Sequence, residues 1–259
     1  MRGRWEVSDA QWKLLEPILK PKPRRDGRGR PWHDTRAVLN GVRWVLGTGA
    51  QWRELPAKYP PYQTCHRRFQ QWVREGRLER VLRRLAAELE RRGQLHGDEA
   101  FVDATFAGAK KGAFAVGPTR RGKGTKIMAI ADAHSLPLAV SIQSASPHES
   151  QLVEEVLSQS FLDQLPARLI GDRAYDSDRL DQRLKREYDI ELIAPHNPMR
   201  RQPTQDGRPL RRYRKRWHIE RLFAWLHWFR RLVIRWEYHA ENFLGMVRLG
   251  CIKLLLRHL

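Results

Sequence analysis

The sequence predicts an α/β chain in two parts: an all-helical N-terminal region over residues 1–95, then a mixed sheet flanked by helices over residues 96–259. Three observations lead there. Up to about residue 95 the apolar residues recur at helical spacing. From Ala100 the pattern changes to short apolar runs alternating with helical stretches. The 259 residues are 41% hydrophobic, enough to bury a core in one large or two modest domains.

Ser8 is placed to cap a first helix carrying Trp12, Leu15, Ile18 and Leu19, with Pro21 and Pro23 ending it. Asp34 caps a second, whose Val38, Val42, Val45 and Leu46 share a face. After Pro60 and Pro61 a third carries the stripe Tyr62, Cys65, Phe69, Trp72 and Val73, and a fourth spans about 78–92. Residues 100–106 read as a strand, followed by a glycine-rich basic stretch, 108–126. Residues 127–131 and 138–142 form a hairpin. A helix (149–161), strand (168–171), helix (177–187) and strand (190–194) follow. A loop rich in Pro and Arg then leads to helices over 214–232 and 240–256. No internal repeat is visible.

Lys and Arg number 49 against 29 Asp and Glu, a net charge of +20. Such a field favours a polyanion, either nucleic acid or an anionic membrane. The most apolar tail, residues 243–256, is interrupted by Arg248 and Lys253 and is too short to span a bilayer, so a membrane is disfavoured. Residues 1–6 carry charges and no apolar run, so no secretory leader is expected. Cys65 and Cys251 are too few for a disulfide framework or a four-ligand zinc site. A cytoplasmic, nucleoid-associated protein is the expectation.

Three carboxylates are candidates for chemistry. Asp103 interrupts the apolar run Phe101-Val102-Asp103-Ala104, where a charge is costly unless a cation or local hydrogen bonds offset it. Asp172 follows Leu169-Ile170-Gly171 at the carboxyl end of a predicted strand, where sites in open α/β sheets collect; a turn aspartate reads the same way. Glu220 borders the stripe Ile219, Leu222, Phe223 and Leu226, and a plain ion pair with Arg216 or Arg221 explains it equally. Together, acids on two strands and a helix could hold two Mg²⁺ ions roughly 4 Å apart, with Mn²⁺ able to substitute.

The order and contexts of these acids resemble the DDE transposases of bacterial insertion sequences, close to the insertion-sequence-five group. Phe-Val-Asp-Ala-Thr (101–105) is similar to the family's first Asp motif, and Gly-Asp-Arg-Ala-Tyr-Asp (171–176) to its second. Arg-Trp-His-Ile-Glu-Arg-Leu-Phe (216–223) is similar to the Glu motif. Tyr213, Arg216 and Glu220 fall at the spacings of the wider signature, while His227 stands where that signature has Lys. Arg230 or Arg231 would then take over the phosphate contact. The resemblance covers nearly the whole chain. It implies a ribonuclease-H-like catalytic domain, Asp103, Asp172 and Glu220 as metal ligands, Mg²⁺ dependence, and cleavage and strand transfer at terminal inverted repeats. It further implies Tyr213 and Arg216 at the phosphate or flanking base, and a homodimer or larger synaptic assembly. Residues 173–219 leave no room for the large β insertion some relatives carry there.

Several stretches suit double-stranded DNA, both inverted repeats and target. Residues 200–216 hold eight Lys or Arg and one acid, and lead into the Glu220 helix. The glycine-rich stretch offers Arg120, Arg121, Lys123 and Lys126. Its Gly117–Lys123 spacing nearly spells a phosphate-binding loop, but Gly124 follows the lysine and a strand follows the loop, which excludes an NTPase. Arg28-Gly29-Arg30-Pro31 matches an AT-hook core or a flexible basic linker. The third helix presents Arg67, Gln70, Gln71 and Arg74, either as a recognition helix or as an ordinary amphipathic surface. The rival readings are a non-transposing nuclease on the same fold and a catalytically inactive DNA-binding protein.

Overall fold

In the computed structural model the described residues are 4–21, 31–112, 114–200, 202 and 209–259. Arg28 and Arg30, the AT-hook candidates, lie outside them. Four helices come first: α1 (Asp9–Leu19), α2 (Thr35–Thr48), α3 (Tyr62–Arg74) and α4 (Arg77–Arg91). The predicted caps form. Ser8 Oγ accepts the Gln11 amide at 3.0 Å while Gln11 Oε1 accepts the Ser8 amide at 3.1 Å, a reciprocal capping box. Asp34 accepts the Arg36 and Ala37 amides at the start of α2.

The sheet is built on β1 (Glu99–Ala109). One edge of β1 pairs antiparallel with β3 (Gly122–Ala131), from Phe101 opposite Ala131 to Gly108 opposite Gly124. Beyond β3 lie β2 (Gly117–Thr119) and β4 (Pro137–Ser144), both antiparallel to it. The other edge pairs parallel with β5 (Arg168–Ile170), which in turn pairs parallel with β6 (Glu191–Ile193). Helices α5 (Val153–Ser158) and α6 (Asp178–Tyr188) make the crossovers to β5 and β6. The result is the mixed, helix-flanked sheet expected.

Three local expectations need correction. The strands expected over 100–106 and 127–131 are longer and reach into the glycine-rich stretch: β1 runs through Ala109 and β3 begins at Gly122. Glycine is needed at position 124 because the Phe106 ring covers it; a Cβ there would stand 2.1 Å from Phe106 Cε2. The helix expected over 149–161 is a 3-10 turn, Glu149–Gln151, followed by the six-residue α5. The long helix expected over 214–232 is a 3-10 segment (Pro209–Lys215), α7 (Trp217–His227) and a short α8 (Arg230–Val233). A strand, β7 (Ile234–Arg235), then pairs with β1 at Gly108 and Ala109. Side-chain periodicity cannot distinguish a continuous helix from one that stops to let its chain join a sheet.

Arg235 explains that break. Fully buried, it donates to Thr125 Oγ1 at 2.8 Å and to the carbonyls of Ala115 at 3.1 Å, Glu237 at 3.1 Å and Tyr238 at 3.3 Å. It thus ties β3 and the loop after β1 to β7. The last helix, α9 (Ala240–Leu255), packs on α4, α3 and β4, and one hydrophobic cluster runs from Leu15 through Phe101 to Leu255. The core is therefore continuous across residue 95. Among the described residues no helix is long and apolar enough to cross a membrane.

Replacing Arg235 by Ala would leave several buried oxygens without donors. The unfolding free energy should fall by about 3 kcal/mol and the Tm by roughly 6–12 °C. Denaturant titration checks this; a loss below about 1 kcal/mol would mean that the cluster contributes little.

Candidate active site

The register of two parallel strands sets the site. Phe101 of β1 lies opposite Ile170 of β5, the last pair before the strands part. Asp103 and Asp172 each come two residues later, so both lie at the mouth of the crevice that opens there. Asp103 Oδ1 accepts the Ala104 amide at 2.8 Å, and Asp172 Oδ1 accepts the Ala174 amide at 2.8 Å. These are the bonds that the structural alternatives anticipate, a strand aspartate held locally and a turn aspartate that caps Arg173–Tyr175.

The third acid arrives on α7, which packs on β1 and β3. Buried His218 anchors that helix, its ring 5.2 Å from Phe101 and its Nδ1 3.4 Å from Ser135 Oγ. Arg216, at the start of α7, donates to Asp103 Oδ2 at 2.7 Å through Nη1 and to Glu220 through Nη2. One guanidinium therefore bridges two of the three predicted acids. Asp103 is only 16% exposed, whereas Glu220 is 55% exposed.

Burial dominates the electrostatics. It raises the Asp103 carboxyl, while the Ala104 amide and Arg216 pull it down and the charges of Asp172 and Glu149 push it up again; the outcome is about 6. Burial lowers the Arg216 guanidinium, but Asp103 and Glu220 outweigh it and the net shift is upward. An aspartate held this high among other acids is short of positive charge. The donor set is hard oxygen, the kind that Mg²⁺ and Mn²⁺ take. Asp103 and Asp172 thus fit such an ion. Among the described residues, however, no three His, Cys, Asp or Glu side chains are gathered closely enough to enclose one. Glu220 is held by Arg216 rather than drawn into a shell with the aspartates.

The other predicted residues divide by where their charge ends up. Arg120 and Arg121 form the exposed turn of the β2–β3 hairpin, with Lys123 exposed beside them. Arg67 and Arg74 are exposed on α3, with Gln70 and Gln71 half-buried beside them. All four line one surface cavity with Trp32 and His33. Arg230 is exposed, and Tyr213 is half-buried with the Arg216 guanidinium 5.9 Å from its ring centre. Two of the cations are engaged within the protein. Arg231 is buried, bonded to Glu237 at 2.7 Å and to the Ala50 carbonyl at 3.3 Å, so it cannot replace the absent lysine. Lys126 is turned inward, donating to the Pro147 carbonyl at 2.7 Å and lying 3.5 Å from Glu149. His227 places Nε2 3.3 Å from Thr105 Oγ1. Burial lowers its pKa, so it braces α7 on β1 as a neutral ring and supplies no cation.

Sequence reasoning missed Glu149 and Tyr175. The 3-10 turn of Glu149 packs against the turn Arg173–Tyr175 that follows Asp172. Tyr175 sits inside the second Asp motif. Glu149 follows His148, which stands at the N-cap of the turn. Neither residue interrupts a periodic pattern, so nothing in the sequence marked it as a site residue.

Comparison with known proteins identifies the family. The family model for the transposase DDE domain matches residues 95–255, and that for the IS4/5-family transposase matches residues 7–82. A transposase for insertion sequence element IS402 of Burkholderia cepacia is 34% identical over 143 residues, covering 52% of this chain and 64% of the relative. An uncharacterized 16.2 kDa protein of insertion element IS402, from the same organism, is 39% identical over 103 residues, covering 38% of this chain and 70% of the relative. The solved structure of a piggyBac transposase synaptic complex with hairpin DNA aligns over 98% of this chain and 74% of its own, with a TM-score of 0.50 at 11% identity. That likeness is one of fold, and the fold is the ribonuclease-H-like one.

The raised Asp103 carboxyl has a consequence for the metal-free protein. The native state holds this proton more tightly than the unfolded chain, whose aspartate titrates at the ordinary 3.8. Its contribution to stability is therefore present at low pH and is lost as pH rises from about 4 to about 6. Asp103→Asn removes that dependence and should stabilise the metal-free protein at pH 7.5 by on the order of 1–3 kcal/mol, less what the Arg216 pair contributes. Denaturation at pH 4 and pH 7.5 checks this. Identical pH slopes for the two proteins would show that Asp103 titrates normally.

Proposed function

This chain belongs to the DDE transposase family, whose members cleave and join DNA, and we propose that it carries out metal-dependent cleavage and strand transfer at the terminal inverted repeats of its insertion sequence. The observation that supports the reading is the register pairing of Phe101 with Ile170, after which Asp103 and Asp172 each follow by two residues at the point where the strands part. Asp103 and Asp172 are the principal ligands of a divalent ion pair, Mg²⁺ with Mn²⁺ as substitute, and Glu220 completes the set from α7. Such ions supply Lewis-acid activation of the attacking oxygen and charge neutralisation at the leaving 3′ oxygen.

The chain's own groups have distinct tasks. Arg216 holds Asp103 and Glu220 in place while cations are absent, and turns to the scissile phosphate or its flanking base beside Tyr213. Arg230, exposed where α8 begins, meets the backbone further along. The Arg120–Arg121 turn and Lys123 grip the duplex from the other side of the crevice. Residues 1–95 bind the inverted repeat through Arg67, Gln70, Gln71 and Arg74, and residues 96–259 perform the chemistry. Two such chains synapse two ends, since strand transfer joins a pair; the DNA is duplex at both repeat and target.

Two measurements test this. Asp103→Asn and Asp172→Asn should each abolish Mg²⁺-dependent cleavage of a duplex carrying the element's ends, yet leave its binding unchanged. A mutant that cuts normally would refute the site, and cleavage without joining in the wild type would favour a non-transposing nuclease. Arg67→Ala combined with Arg74→Ala should weaken binding and reduce the slope of log K against log salt by about 2. An unchanged slope would remove α3 from the DNA interface.

A further inference from the structure

A cleft separate from the crevice lies where the helical and sheet parts meet. It encloses about 570 Å³, with Trp52, Arg53 and Tyr62 contributed by the helical part and Lys111, Arg231 and Trp236 by the sheet part. Gly49 lets the two sides approach. It ends α2 at φ +71°, and a Cβ there would stand 2.9 Å from Arg230 Cβ, so α8 begins hard against the helix end. The β1–β7 ladder sets the other side. Ala109 pairs with Arg235, and the Lys110 amide donates to the Arg235 carbonyl at 3.0 Å, so Lys111 and Trp236 leave the sheet together. Ala109 ends β1 about 20 Å along the strand from Asp103, so this cleft is not the crevice of the aspartates.

The lining combines two kinds of group. Three cations and no acid line the cleft. Arg231 is the fixed one: its side chain is 8% exposed, Nε is bonded to Glu237 at 2.7 Å and Nη1 to the Ala50 carbonyl at 3.3 Å. Its remaining nitrogen, Nη2, makes no hydrogen bond among the described residues. A guanidinium held at two nitrogens can offer the third to a ligand with little further loss of freedom. Arg53 and Lys111 are exposed and form no ion pair among the described residues. The second kind is aromatic. Trp52 is backed by the His66 ring at 4.8 Å and the Phe69 ring at 6.0 Å, Tyr62 is half-buried, and Trp236 is 44% exposed.

Ring faces beside uncompensated cations match the two halves of a nucleotide, a base that stacks and a phosphate that pairs. An aromatic side chain from another protein would fill the apolar part and leave the cations without an anion. A base inside a duplex has no free face, so the nucleotide that fits is unpaired. We propose that this cleft binds a nucleotide with an unpaired base, the base stacking on Trp236 and Trp52 while Arg231, Lys111 and Arg53 take its oxygens. The chemistry is shared by a single-stranded stretch of DNA and by a free nucleotide. The inference goes beyond the reading of the catalytic acids and does not depend on it.

The test is fluorescence anisotropy of labelled octathymidylate with the full-length chain in the presence of a chelator, with dTMP and a blunt duplex as competitors. Trp236→Ala should weaken octathymidylate binding by about tenfold or more, and Trp236→Phe should restore most of it. Lys111→Gln should weaken it and reduce the slope of log K against log salt by about 0.7. Duplex binding should be unchanged in both Trp236→Ala and Lys111→Gln. Because Trp236 is half exposed, the Trp236→Ala chain should melt as the wild type does. Octathymidylate binding far tighter than dTMP assigns the cleft to a strand; equal affinities assign it to a free nucleotide. Asp103→Asn should bind octathymidylate as the wild type does, so a failure of the catalytic reading would leave this one standing. Wild-type affinity in both Trp236→Ala and Lys111→Gln would overturn the proposal, as would an equal loss of duplex binding or no octathymidylate binding by the wild type. Loss of self-association in Trp236→Ala with octathymidylate binding intact would also overturn it and assign the cleft to a second copy of the chain.

Discussion

The pairing of Phe101 with Ile170 carries a disproportionate share of this structure. Three parallel residue pairs join β1 to β5, from Glu99–Arg168 to Phe101–Ile170. So short a ladder would be prone to slip on its own, and one residue of slip would turn Leu169 and Ile170 to the opposite faces of the sheet. The long antiparallel pairing of β1 with β3, and of β3 with β4, fixes β1 itself, so Asp103 keeps its face. Arg235 secures the far end of the same strand through β7, and His218 docks α7 on its near end. The acids are thus positioned by hydrogen bonds and packing several residues away from them.

That placement creates an electrostatic problem at the crevice. Asp103 is mostly buried, and both Asp172 and Glu149 repel its charge. Arg216 relieves part of this by bridging Asp103 and Glu220, yet the Asp103 carboxyl still sits near 6. Metal-binding sites commonly show this imbalance, because the groups that favour the ion destabilise the protein without it. Arginine suits the bridging part: its planar fork reaches two carboxylates at once and is equally suited to phosphate.

The net charge of +20 overstates the charge left at the surface. Arg231 and Arg235 are enclosed by Glu237, Thr125 and backbone carbonyls. Arg43 is buried too, and burial lowers it to about 10. Glu99, at the start of β1, draws Arg212, with Arg168 at 3.7 Å and Lys215 at 3.9 Å. Among the described residues the exposed cations are spread over the surface: Arg67 and Arg74 on α3, Arg80, Arg83, Arg84 and Arg91 on α4, Arg120, Arg121 and Lys123 at the β2–β3 turn, and Arg211, Arg214 and Lys215 before α7. The helical and sheet parts also share one core through α9, so the basic surfaces on both are carried by a continuous packed interior.

What the sequence by itself determined was local. Ser8 and Asp34 mark their caps, the period change near Ala100 separates helices from sheet, and the contexts of Asp103, Asp172 and Glu220 were sufficient to suggest the family. Each of these signals is carried by neighbours in the chain. Only the tertiary structure decided which cations are free and which acids converge. Arg231 and Arg230 are adjacent in sequence, yet one is buried against Glu237 and the other is exposed; periodicity on a helix that breaks at Trp228 could not separate them. Glu149 and Tyr175 interrupt no pattern, and their relation to Asp103 exists only once β4, β5 and their following turns are folded against β1. Burial and long-range contact set charge state and proximity, and neither is encoded in spacing along the chain.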